Sequence, residues 1–74
     1  MKTTRSIDGI NNNGNAIDVW VGDRVRFDTN SNLGIREDVV RECFIQTDSL
    51  GGSFPAVVLT HYSWTPLARI IEVL

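Results

Sequence analysis

The chain's single histidine, His61, lies between Thr60 and Tyr62 and is the one side chain that titrates near neutrality without help. To act as a general acid or base it needs a carboxylate to fix its tautomer and a nucleophile within reach, and the sequence places neither beside it. An ordinary strand histidine is the plainer reading. Cys43, between Glu42 and Phe44, reads as a small buried hydrophobe, because an activated thiolate needs an electropositive setting that is not visible here. One cysteine forms no internal disulfide, and the chain has no Cys/His set for a structural zinc.

A second group lies in DVWVGDRVRFDTN, residues 18–30. Trp20, Arg24 and Arg26 could form a stacking and phosphate-gripping stripe, the means by which small barrels hold single-stranded nucleic acid. Asp18, Asp23 and Asp28 interleave with the two arginines, and a solvated, internally neutralised face is the plainer reading. Tyr62 and Trp64 flank the turn before the last strand. Trp64 is expected either to plug the core or, if exposed, to anchor a protein partner.

Bulk properties narrow the classes. The 74 residues make one domain; 42% are hydrophobic and 22% charged, the composition of a folded protein rather than a disordered one. The net charge of −2, with a pI of about 5.1, gives no overall attraction to polyphosphates or anionic membranes. No apolar core follows the basic residues of the N-terminus, and the longest apolar run, residues 56–59, is far too short to span a bilayer. A soluble protein of a reducing cytoplasm is expected.

Residues 1–6 read as a loose polar arm and 7–74 as the folded domain. Ile7–Ile10 offers a short strand, and Asn11–Asn15 is a strong turn signal. From Ile17 the pattern has period two. Ile17, Val19 and Val21 share one face and Asp18 and Trp20 the other; after Gly22, Val25 and Phe27 oppose Arg24 and Arg26. A tight hairpin would set Trp20 across from Arg24 and Asp18 across from Arg26. Ile35–Thr47 carries its apolar residues on both parities and is compatible with a helix, but its β-branched and aromatic content favours a strand bulged near Val39-Val40; Phe54–Tyr62 is expected as a strand with Pro55 at its start. Residues 63–67 form a tight turn or 3₁₀ step, and 68–74 the last strand. Five or six short antiparallel strands with a 3₁₀ step before the last describe an all-β, small SH3-like barrel.

Two families on that plan resemble this chain. Gly9-Ile10, Asn13-Gly14, Ile17, the run Gly22 to Phe27 and Ile71-Glu72-Val73 resemble the signature of the YopX-like phage proteins. That resemblance implies a mobile-element origin and brings no known reaction. Gly22 to Arg26, with Tyr62 seven residues before Arg69-Ile70, is similar to type II dihydrofolate reductase. That likeness implies an oligomer of barrels around a ligand pore lined by Thr60, His61 and Tyr62. The enzyme's Val-Gln-Ile-Tyr stands here as Leu59-Thr60-His61-Tyr62, and its lysine after Gly-Asp-Arg-Val-Arg as Phe27.

The leading expectation is a non-catalytic interaction module that binds a host or phage protein, uses no cofactor and no metal, and self-associates through an edge strand or an exposed Trp. The alternatives are a small-molecule pore in a homo-oligomer and single-strand nucleic-acid binding through Trp20, Arg24 and Arg26.

Overall fold

The computed structural model describes residues 2–74. It contains β1 (Lys2–Thr4), β2 (Ser6–Ile10), β3 (Ala16–Trp20), β4 (Arg24–Asp28), β5 (Ile35–Thr47), β6 (Ser53–Leu59), β7 (Trp64–Pro66) and β8 (Ile70–Val73), with a 3₁₀ turn at Leu67–Arg69 before the last strand. All pairings are antiparallel. The all-β class and the 3₁₀ step agree with the sequence reading; among the described residues the strands number eight rather than five or six.

Six strands form one sheet, ordered β7-β6-β5-β4-β8 with β1 also paired to β5, and β2 and β3 form a separate ribbon. β5 is the common member. Its first half, through Val39, pairs with β4, and from Val40 onward it pairs with β6. The bulge falls between Val40 and Glu42, next to where the sequence predicts it.

Ribbon and sheet enclose one core. Ile7, Ile17 and Val19 come from the ribbon, and Val25, Phe27, Val40, Cys43, Val57, Leu59, Leu67 and Ile70 from the rest. Burying side chains of this size stabilises by about 1.5–3 kcal/mol each, and the period-two pattern delivers them to one side. Strand alternation turns Phe44, Phe54 and Trp64 to the sheet's opposite face. There Trp64 packs on Phe44 at 6.4 Å between ring centroids and on Phe54 at 6.2 Å.

The predicted hairpin of residues 17–27 is corrected. β3 pairs with β2, while β4 pairs with β5 and β8, so Trp20 does not face Arg24 and Asp18 does not face Arg26. Residues 21–23 make a corner instead. The Gly22 and Val40 amides donate to Val40 O and Asp23 O, hooking the turn onto β5, and Gly22 takes φ +97°, a conformation open to glycine. Period two shows which side is buried but not which strand lies alongside, so hairpin and corner satisfy the same pattern. Val21, expected to face inward, sits on this corner and is exposed.

Two other boundaries move. The arm expected at residues 1–6 includes β1, whose register sets Thr3 against Phe44 and Thr4 against Cys43; β-branched threonines suit that position beside β5. The strand expected to run through Tyr62 stops at Leu59, leaving Thr60, His61 and Tyr62 in the bend between β6 and β7.

Asn11, read as part of a loop tip, is buried and joins the ribbon to the sheet. Its Nδ2 donates to Ile70 O at 2.9 Å and Ile71 O at 3.2 Å, and its Oδ1 accepts from the amides of Asn13 and Asn15.

On the ribbon's outer face Asp8 stands directly opposite Asp18. Like charges in that position repel, so Asp18→Lys is expected to raise stability by about 0.5 kcal/mol, measured by urea unfolding at low salt.

Candidate functional site

Arg24 and Arg26 project from the outer face of β4. Cross-strand register places Arg26 between Glu37 of β5 and Glu72 of β8, and its guanidinium bonds both carboxylates, with 3.1 Å to Glu37. Arg24 lies 3.5 Å from Glu37. The hydrogen bond to Glu37, then the charge of Glu72, hold the Arg26 pKa above its ordinary value. The neutralising acids are therefore Glu37 and Glu72, not the neighbouring aspartates. Asp23 and Asp28 accept from the backbone amides of Trp20 and Asn30. Trp20 is half-exposed on β3 beside Arg5 and Val21, so the predicted stripe is divided between two sheets, with its arginines already paired.

Residues 60–64 are brought together by a carboxylate that the sequence reading overlooked. Asp38 is 3% exposed, on the inner face of β5 opposite Val25. It accepts the His61 amide at 2.6 Å, the His61 Nδ1 position at 2.9 Å and the Val39 amide at 2.8 Å. Burial pushes the Asp38 pKa up, but these bonds, led by the His61 amide, outweigh it and hold the carboxyl below its usual value. Thr60 bonds Val39 O through both its amide and its hydroxyl. The bend is thereby bolted to β5. The arrangement orients the His61 ring and leaves its side chain 78% exposed.

The bend forms one wall of a groove of about 310 Å³. Tyr62, Ser63 and Trp64 line this wall, Leu33 and Thr29 of the β4–β5 loop the other, with Phe27 and Arg69 between. Tyr62 is held edge-on to buried Phe27 at 5.2 Å. Trp64 keeps 48% of its surface exposed and Leu33 keeps 51%. Aromatic surface exposed beside this groove can take an apolar side chain. Of the sequence candidates, Tyr62 and Trp64 meet here, Thr60 and His61 adjoin them in the chain, and Trp20, Arg24 and Arg26 lie on other strands. Leu33 and Arg69 were not legible as partners, since only the folded chain sets residues 29–33 against 62–69.

Cys43 is fully buried and its thiol points to Val19 O at 3.8 Å. Burial, then the charge of Asp23, push its pKa up to about 11, which favours the protonated thiol over the thiolate. Among the described residues no group of three His, Cys, Asp or Glu side chains is placed to hold a metal, and no helix is long and apolar enough to cross a membrane.

Compared with protein-family models, with characterised proteins and with solved structures, the chain finds no match.

Proposed function

We propose that the protein is a small, non-catalytic interaction module of a phage or other mobile element, working in a reducing cytoplasm and binding a host or phage protein through the Tyr62–Trp64 groove. The mobile-element origin follows the YopX-like resemblance of the Gly22 to Phe27 and Ile71 to Val73 segments. The observation that carries the binding reading is Trp64, a large ring held half-exposed at the rim of a preformed groove, the kind of anchor that dominates protein interfaces. The single unpaired, buried Cys43 suits a reducing compartment.

The experiment is capture from host extract on immobilised protein, compared with Trp64→Ala and Tyr62→Ala. A partner retained by the native chain is expected to bind Trp64→Ala at least about 30-fold more weakly, the loss typical of a buried aromatic anchor. Circular dichroism of Trp64→Ala checks that uncovering Phe44 has not unfolded the domain. Partner binding unchanged by both substitutions, or turnover of a small substrate in place of binding, overturns the reading.

A further inference from the structure

The second strand of the ribbon's hairpin, β3, covers only one edge of β2. The bonds at the two ends of the ribbon, Val21 N to Arg5 O and Asn11 N to Asn15 O, fix the phase of the ladder on odd-numbered residues of β2. In an antiparallel ladder the even residues then turn their N–H and C=O groups the other way. Ser6 O is taken by Thr4 Oγ1, and beyond the strand's end Asn12 N donates to Ala68 O. Asp8 and Ile10 remain, with their amides and carbonyls on an uncovered edge.

That edge borders an apolar groove of about 440 Å³, whose far wall is Phe54, Pro55, Pro66, Leu67 and Ala68. Gly9 lies against its floor, where a Cβ would come 3.3 Å from Leu67 and 3.5 Å from Pro55. On the outer face Asp8 and Asp18 stand opposite one another, and among the described residues neither forms an ion pair. Ile10 beside them is 63% exposed.

We propose that β2 accepts an extended segment of another protein as an added strand, and that this segment alternates apolar with basic residues. Side chains on the inner side of an added strand would fill the groove beside Phe54 and Leu67, and those on the outer side would lie beside Asp8, with Asp18 one strand further away on β3. Charge selects the occupant. A second copy pairing through its own β2 would bring Asp8 toward its equivalent, with Asp18 one strand behind each, and compound a repulsion the domain already carries. A basic strand relieves it. This surface is separate from the Tyr62–Trp64 groove, and the inference stands whether or not that groove binds a partner.

The test uses ¹⁵N-labelled full-length protein and three capped peptides: one alternating Lys and Val, one alternating Glu and Val, and the Lys/Val peptide with alternate backbone nitrogens methylated. The Lys/Val peptide is expected to slow hydrogen exchange at the Asp8 and Ile10 amides, to weaken with salt, and to lose about tenfold in affinity with Asp8→Lys and less with Asp18→Lys. Asp8→Lys and Asp18→Lys each remove the like-charge pair and are expected to be more stable than the native chain, so lost binding is not lost folding. Equal binding of the Glu/Val peptide, equal binding of the methylated peptide, shifts confined to residues 62–69, or no binding at about 1 mM each overturns the proposal. So does protection of Asp8 and Ile10 that grows with protein concentration in the absence of peptide, which assigns the edge to self-association.

Discussion

Asn11→Ala is expected to lower the unfolding free energy by about 3 kcal/mol, because it strips partners from buried backbone groups at both ends of one side chain. The substitution removes the donor that serves Ile70 O and Ile71 O and the acceptor that serves the Asn13 and Asn15 amides. Ile70 is itself fully buried, so water does not readily replace the lost donor there. Asn11→Asp separates the two ends. It keeps the acceptor for the loop amides but sets a carboxylate against two carbonyl oxygens, so it is expected to be nearly as damaging at pH 7 and to recover in part in acid as that carboxyl protonates. Urea unfolding followed by tryptophan fluorescence, at pH 7 and pH 4, measures both. A cost below about 1 kcal/mol for Asn11→Ala would show that the ribbon does not depend on the Asn11 side chain.

Asp38→Ala is expected to cost a comparable amount, about 3 kcal/mol at neutral pH, since three donors converge on a carboxylate with almost no exposure. Two of those donors are backbone amides, so His61→Ala, which removes only the ring, is expected to cost about 1 kcal/mol. The pH dependence carries a sign. The folded-state pKa of Asp38 lies below the ordinary 3.8, so the folded protein binds fewer protons than the unfolded chain in the window between the two values. The stability this group contributes is present above the unfolded value and is lost as pH falls through the folded one. Asp38→Asn lacks that titration, and its stability is expected to fall less steeply than the native chain's between about pH 5 and pH 2. Parallel acid limbs for native and variant would remove Asp38 from the account.

The inward residues were legible because strand alternation is a local property: Ile17 and Val19, Val25 and Phe27 are buried as their spacing requires. The long strand from Ile35 to Thr47 and its bulge were legible on other grounds: its apolar residues fall on both parities, which leaves a helix open, and its β-branched and aromatic content favours a bulged strand. Pairing was not. Gly22-Asp23 between two alternating runs is compatible with a hairpin and with a corner, and only the distant Val40 amide and carbonyl decide for the corner. The site was half legible. Tyr62 and Trp64 stood out by type, whereas Asp38 follows Glu37 in what reads as a solvated charged run, and Asn11 opens a polar cluster that reads as a turn. Both are polar residues buried by partners far along the chain, and no local pattern announces such a bond.

β5 has a consequence for the order in which the chain assembles. β4, β5, β6 and β7 follow one another in sequence and lie side by side in the sheet, so each of their pairings closes only a short loop. β1 must find β5, and β8 must find β4, across most of the chain. The entropic penalty of those long closures places the meander centred on β5 early in folding and the two terminal strands late. Once they dock, β1 and β8 clasp the same meander that formed without them, and fraying is expected to begin at those two strands when the domain opens.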